Sequence, residues 1–382
     1  MKFSTLIVLL LVGILAFSLV GCAPEEDPAV EEEPKEDPQP DEEPAEEVTL
    51  RFANYFPGES GPGLIGEEFA EEVEALTDGR VEIDYYPGGM LLGPGEMYDG
   101  VVEGVADMGF SNLGYTFGRF RESEILDLPI GFPNAWVANH VKAEFYEEFE
   151  PEEFDDVHVL TFHSSPINTI ITEDILVETP EDVEGVTLRG TGWVAATVEA
   201  LGATAEDVGM PDAYDYLERG MMEGLLIPYE TVDTFGYGEV TNHATEIWQL
   251  GQSYSFYIVV NQDSWDAISA EDQEIITEYV EGEFRDELAQ MWNRIDIEGK
   301  EFALERDYTI TEIPDEELDT WQDRADMVID DYVELMLDEG YTEEEIDERF
   351  DFIEERIDYW LERQAEEGIE SSTGPEEVQI DW

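Results

Sequence analysis

The chain has very little lysine and almost no cysteine. Of its 382 residues, four are Lys and one, Cys22, is Cys. A single cysteine excludes an intramolecular disulfide and a cysteine-based zinc site. Lys and Arg together number 17 against 97 Asp and Glu, which gives a formal net charge of −80. Because neutralising phosphates requires clustered Lys and Arg, the composition excludes a nucleic-acid-binding protein.

The apolar content is nevertheless that of a folded protein. Hydrophobic residues make up 42% of the chain, enough for a core of one or two domains. An evenly spread negative charge repels itself in ordinary salt. Near 1 M salt the Debye length is only about 3 Å, so this repulsion is largely screened. We therefore predict a protein from a highly saline setting; a merely acidic protein from ordinary salt is the alternative.

The first 47 residues have the composition of a targeting segment followed by a tether. Lys2 and the apolar residues 6–20 are typical of a signal peptide, and residues 19–22 (Leu-Val-Gly-Cys) resemble the bacterial lipobox. We expect cleavage before Cys22 and a lipid on its thiol, so that the mature protein is anchored outside the cytoplasmic membrane, in the periplasm or on the outer face. A transmembrane anchor is the weaker alternative, because the run is short and acidic residues follow it. Residues 23–47 alternate Pro with acids and predict an extended tether.

The body that follows has an α/β pattern. Alternating residues predict strands at 48–53 and 81–85, and the spacing of Ile65, Phe69 and Val73 predicts a helix between them. A further helix and strand complete a β-α-β-α-β unit with a parallel sheet. We expect two α/β lobes with a ligand cleft at the carboxyl ends of the strands. The predicted division is lobe I at 48–165 with part of 251–305, lobe II at 166–250, a C-terminal helical extension at 306–366 and a loose tail at 367–382. The long C-terminal helices could pack on the body or swap into a homodimer.

Catalytic and metal-binding motifs are weak. The four His residues are scattered, and none has metal-ligand spacing. The segment Gly109–Gly114 (Gly-Phe-Ser-Asn-Leu-Gly) resembles a nucleophile elbow only superficially, because its second Gly comes one residue late. We therefore predict no enzyme, no cofactor and no metal.

The more informative motifs lie in the second half of the body. Residues 179–189 read Thr-Pro-Glu-Asp-Val-Glu-Gly-Val-Thr-Leu-Arg, followed by Ala-Leu-Gly-Ala at 200–203 and by Pro228; Leu-Asp-Leu-Pro-Ile-Gly-Phe stands earlier, at 126–132. In order and spacing, over residues 48–290, the chain resembles the solute-binding proteins of tripartite ATP-independent (TRAP) transporters, of the C4-dicarboxylate-binding type. The resemblance implies a two-lobed periplasmic-binding-protein-like fold that captures an organic carboxylate and delivers it to TRAP membrane permease subunits.

The resemblance also implies a binding residue. In that family a strand arginine pairs with the substrate carboxylate, and Arg189 occupies its position. A planar guanidinium offers two parallel hydrogen bonds to a carboxylate. The alternative is a structural salt bridge between Arg189 and one of the 97 acids.

Two departures from the family pattern restrict the class of ligand that we expect. The family's second, frequent arginine falls on Asn168, and its Asn before Pro falls on Ile227. Fewer polar anchors, with aromatic residues nearby, suit one carboxylate on an apolar or aromatic body better than a dicarboxylate; the alternative is that these aromatics belong to the core, as we expect for Phe162. The predicted ligand-binding residues are Arg189, Trp193, Asn168, Asn112, Tyr115, His163 and Tyr229.

Two other functions remain open at this point. A receptor that feeds an ABC importer or a sensor would share the same two lobes. A secreted hydrolase on the same lobes is less favoured, because no nucleophile constellation is evident.

Overall fold

The computed structural model describes residues 47–382. The predicted signal peptide, the lipidation residue Cys22 and nearly all of the tether lie outside the described residues. Within 47–382, no helix combines the length and the apolar character needed to cross a membrane. The described chain is organised around two β-sheets, with helices packed on both.

The first sheet contains the predicted parallel unit. Its five strands run in the order β2-β1-β3-β10-β4, and β1 pairs in parallel with both β2 and β3. The helix between β1 and β2 begins after Ser60, whose hydroxyl accepts a hydrogen bond from the amide of Gly63, and it buries Phe69 and Val73. The bounds are β1 Val48–Asn54, α1 Gly61–Leu76, β2 Val81–Tyr86, α2 Met97–Val102, β3 Met108–Asn112, α3 Ala135–Phe149, β4 Val157–Ser164 and β10 Ser255–Asn261.

The second sheet contains the strand that ends at Arg189. Its six strands run in the order β11-β9-β5-β8-β6-β7, with β6 parallel to β7 and β8. The last strand by sequence, β11, pairs with β9, so the start of the segment predicted as the C-terminal extension, 306–366, belongs to the second sheet. The bounds are β5 Thr169–Thr172, β6 Thr187–Arg189, α4 Gly192–Leu201, β7 Thr204–Glu206, α5 Met210–Glu218, β8 Gly224–Ile227, α6 Glu230–Thr234, β9 His243–Glu246 and β11 Thr309–Glu312.

The chain crosses between the sheets three times: after β4, after β9, and along the helices that lead to β11. These helices are α7 (Gln262–Asp266), α8 (Ala270–Tyr279) and α9 (Arg285–Glu305), and a π-helical turn at Val280–Phe284 joins the last two. At the start of α8 the amide of Asp272 donates to the Ser269 hydroxyl, which caps the helix. Several crossings between two sheets are what a pair of lobes flanking a cleft requires.

The two C-terminal helices, α10 (Leu318–Glu339) and α11 (Glu343–Glu367), pack on the body of the same chain. On α10, Trp321 donates to the carbonyl of Glu178 beside the second sheet, whereas Tyr332 donates to the carbonyl of Arg121 beside the first. On α11, the Trp360 ring stacks on His140 with centroids 3.9 Å apart. The helices therefore contact both lobes.

The prediction of a loose tail is wrong. Ser371, Ser372 and Thr373 are buried. The Lys300 ammonium donates to the carbonyl of Ser372 over 3.0 Å, and the Thr373 hydroxyl donates to the carbonyl of Pro133 over 3.1 Å. A polar segment without periodicity can be held by backbone and hydroxyl hydrogen bonds to buried groups, and such partners have no local sequence pattern.

Candidate ligand-binding site

A pocket lies where strands of both sheets end. The carboxyl ends of β1, β3 and β4 contribute from one lobe, those of β6 and β8 contribute from the other, and the start of the antiparallel β10 completes the wall. The lining closes tightly around a cavity of about 20 Å³. The lining residues are Tyr55, Phe56, Asn112, Ser165, Arg189, Met210, Ile227, Pro228, Glu230, Thr231, Phe235, Tyr254 and Phe256.

Arg189, the last residue of β6, is the buried cation of this pocket, with 1% of its surface exposed. Its Nε donates to the carbonyl of Val208 over 3.0 Å, and its Nη1 donates to the Tyr254 hydroxyl over 2.8 Å. The Tyr254 hydroxyl also accepts from the amide of Thr191, so its position is fixed from two sides. These contacts orient the guanidinium and engage two of its five N–H groups.

The charge of Arg189 has no carboxylate counterpart. Within residues 47–382, Arg189 forms no ion pair, so the structural salt bridge considered from the sequence does not occur there. Burial lowers its pKa, but the oxygens of Tyr254, Tyr115 and other tyrosines outweigh this effect and raise the pKa above its ordinary value. A buried, permanently charged guanidinium without an anion is costly unless a ligand supplies one. The arrangement can therefore receive a carboxylate.

Aromatic rings form much of the remaining wall. Tyr55 stacks on Phe56 with centroids 4.4 Å apart, and Phe56 lies 5.8 Å from both Phe235 and Phe256. The rings come from both lobes, because Phe235 follows α6 and Phe256 is on β10. Rings in such tilted and stacked arrangements offer faces and edges to an apolar or aromatic ligand body.

The lobes contact each other beside the pocket. The Trp193 indole N–H donates to Glu124 over 3.1 Å, and the amide of Met210 donates to the Tyr115 hydroxyl over 3.3 Å. Burial raises the pKa of Glu124. Gly192 adopts φ +55°, and a Cβ there would lie 3.0 Å from the Cα of Gly114, so this close approach requires glycine. The structure is therefore a closed arrangement of the lobes.

The predicted site residues fall into two groups. Arg189 and Asn112 line the pocket, and Tyr115 packs edge-on against Tyr55 with centroids 5.6 Å apart. Trp193 lies at the contact between the lobes.

The other predicted residues are buried away from the lining. Tyr229 donates to Glu246, and His163 accepts from the indole N–H of Trp292. Burial lowers the pKa of His163 well below its ordinary value, so the ring is neutral. The side-chain amide group of Asn168 has no hydrogen-bond partner within the described part of the chain.

Sequence reasoning missed several lining residues, among them Tyr55, Glu230 and Tyr254. Tyr55 directly follows β1, Glu230 follows β8 and Tyr254 precedes β10. The sequence signal that could have identified these residues is their position next to a predicted strand end. Many residues outside the pocket share that position, so it does not single them out.

A pocket between two α/β lobes, built at strand ends around a buried guanidinium, defines a two-lobed solute-binding protein. Over residues 59–335 the chain matches the family described as bacterial extracellular solute-binding protein, family 7. The chain belongs to this family, whose members bind solutes rather than catalyse reactions, in agreement with the prediction of no enzyme.

Relatives and solved structures agree with this assignment. The chain is 25% identical to a solute-binding protein of Chromohalobacter salexigens, over 74% of this chain and 83% of that protein. It is 24% identical to the C4-dicarboxylate-binding protein DctB of Bacillus subtilis, over 75% of this chain and 83% of that protein. A TRAP solute-binding protein from Rhodoferax ferrireducens, crystallised with copurified benzoate, superposes with a TM-score of 0.77 at 25% identity, covering 83% of this chain and 99% of that one. The predicted resemblance to TRAP solute-binding proteins and the predicted two-lobed fold are confirmed.

Proposed function

We propose that this protein captures an organic monocarboxylate with an apolar or aromatic body and delivers it to TRAP membrane permease subunits. The observation that carries the proposal is Arg189, a buried guanidinium without a carboxylate partner within residues 47–382, facing a pocket walled by aromatic rings. The benzoate bound by the similar Rhodoferax ferrireducens protein supports a ligand of this kind.

A C4-dicarboxylate is the second candidate, because the Bacillus subtilis relative binds one. Two carboxylates in one buried site call for two cations. Among the described residues that line the pocket, Arg189 is the only Lys or Arg. The lining therefore favours a single carboxylate.

The test is a binding screen in molar NaCl, with thermal shift followed by isothermal titration of benzoate, phenylacetate, succinate and malate. We expect the aromatic monocarboxylates to bind more tightly than the dicarboxylates. Tighter binding of succinate or malate would favour the second candidate. Ligand-dependent uptake in vesicles that contain TRAP permease subunits would distinguish a TRAP receptor from one for an ABC importer or a sensor.

The proposed place of action is the outer side of the cytoplasmic membrane, with a lipid on Cys22 and residues 23–47 as the tether. Mass spectrometry of the mature protein should find Cys22 at the N-terminus with a diacylglyceryl group. A Cys22→Ala protein that remains membrane-bound would contradict the lipid anchor.

We further propose that lobe I (48–165 with part of 251–305) and lobe II (166–250) open and close around the ligand. The closed arrangement, in which Trp193 donates a hydrogen bond to Glu124 across the lobes, supports this proposal. Bound and free forms would then present different surfaces to the permease. Small-angle scattering should give a smaller radius of gyration with a tight ligand, and identical profiles would contradict closure.

A further inference from the structure

A second charged residue lines the pocket. Glu230, the first residue of α6, is 3% exposed, and its Oε2 is buried without a hydrogen-bond partner within the described chain. Glu230 also borders a groove that opens to solvent beside Ser60 and Asp233. Glu230 therefore lines both the pocket and this groove, and its Oε2 is shielded from solvent.

The charged groups that act on Glu230 within the described chain are acidic. It forms no ion pair within residues 47–382. The amide of Glu230 donates to Asp296 of α9 over 3.3 Å, so a second acid lies against the same helix end. Asp233 on its own helix, and Glu59 and Glu298 across the groove, are also acidic.

Burial is the main cause that raises the pKa of Glu230, to about 8; a hydrogen bond with Thr234 opposes this effect, and the charges of Asp296 and Asp233 add to it. At neutral pH the group is therefore a neutral carboxyl, which can both donate and accept a hydrogen bond.

A second polar atom of the lining is also buried without a hydrogen-bond partner among the described residues. The Oδ1 of Asn112, at the end of β3 in the other lobe, is buried without a partner within the described residues. Buried polar atoms are normally paired, and leaving one unpaired is costly. The lining thus offers hydrogen-bonding capacity beyond the carboxylate site at Arg189.

We propose that Glu230 is a specificity-determining residue that binds a hydroxyl group on the body of the ligand, so that the preferred substrates are hydroxy-substituted carboxylic acids. This inference rests on the proposed capture of a carboxylate at Arg189. A ligand hydroxyl can accept a hydrogen bond from a neutral carboxyl and can also donate one to it. A second ligand carboxylate would bring another anion among several acids, and a ligand cation would first require Glu230 to lose its proton.

The test compares matched ligand pairs by isothermal titration in molar NaCl at pH 7. The three hydroxybenzoate isomers are each compared with the methylbenzoate of the same substitution, which has similar size but no hydrogen bond. We expect the hydroxyl compound to bind about tenfold or more tightly for at least one isomer, because a site built for a hydroxyl rejects the analogue that lacks it. In Glu230→Leu this ratio should fall to about one, and Glu230→Gln should keep part of it.

Asp215→Leu is the control, since it removes an exposed acid of the same lobe, which pairs with Arg219 on the surface, and should leave the ratio unchanged. A wild-type protein that binds benzoate through Arg189 but prefers no hydroxybenzoate would overturn the inference and leave the proposed function standing. A preference that survives in Glu230→Leu would also overturn it, as would tighter binding of isophthalate or 3-(aminomethyl)benzoate. If no benzoate binds the wild type, the proposed aromatic ligand is itself wrong, and the inference falls with it.

Discussion

Truncating Arg189 is the most direct perturbation of the proposed site. The side chain is 1% exposed, is held by Val208 and Tyr254, and has no ion pair within the described residues. Removing one partner of a buried, hydrogen-bonded charge pair costs about 2–5 kcal/mol. At about 1.4 kcal/mol for each factor of ten, Arg189→Ala should weaken carboxylate binding roughly 30- to 4,000-fold. Arg189→Lys should also bind much more weakly, because an ammonium cannot form two parallel hydrogen bonds.

The assay is isothermal titration of benzoate, or of the tightest acid from the screen, into each variant in molar NaCl. Arg219→Ala is the matched control, because Arg219 is 65% exposed and pairs with Asp215 on the surface. The control should bind like the wild type. Circular dichroism should show that Arg189→Ala remains folded. An unchanged affinity in a folded Arg189→Ala would place the carboxylate site elsewhere and refute the reasoning.

Four further outcomes are expected. The melting temperature should rise steeply from low to molar NaCl, because salt screens a body that carries most of the −80 charge; a flat response would argue against a saline adaptation. Trp193→Phe should lose the bond to Glu124 and weaken ligand binding by about 1–3 kcal/mol in titration, since the lost bond favours the closed lobes; equal affinity would mean that this contact does not stabilise closure. Deleting residues 371–382 should lower the melting temperature by several degrees, because it leaves the buried Lys300 and Asp296 without their Ser372 partners; an unchanged melting temperature would show that the segment does not contribute. Because burial raises the pKa of Glu230 to about 8, its carboxyl is neutral below that pH and ionised above it, so affinity for an anionic ligand should fall between pH 7 and pH 9 in the wild type but not in Glu230→Gln; parallel profiles would contradict the assignment.

Local sequence determined the parts of the fold that depend on neighbouring residues. The spacing of Ile65, Phe69 and Val73 follows the helical period, and these residues form the buried face of α1. The alternation around β1 and β2 led to the parallel unit, and Thr342 with Glu345, three residues apart, forms a capping box at the start of α11.

The resemblance to TRAP solute-binding proteins located Arg189, because residues 179–189 match a family motif in which the strand ends in an arginine. Its placement in the pocket agrees with the prediction. Its role in binding a ligand remains a prediction.

Tertiary structure alone decided which other residues share the pocket. Tyr55, Arg189 and Tyr254 are far apart in the chain, and they meet because three strands end at one cleft. Aromatic character did not distinguish Tyr229, which is bonded to Glu246 outside the lining, from Tyr254, which orients the guanidinium. Glu230 is one of 97 acids, and its burial without an ion pair within residues 47–382 separates it from the exposed acids of that range. Burial and pairing are properties of contacts between distant segments, so they depend on how the strands and crossings are arranged and have no signal in local composition.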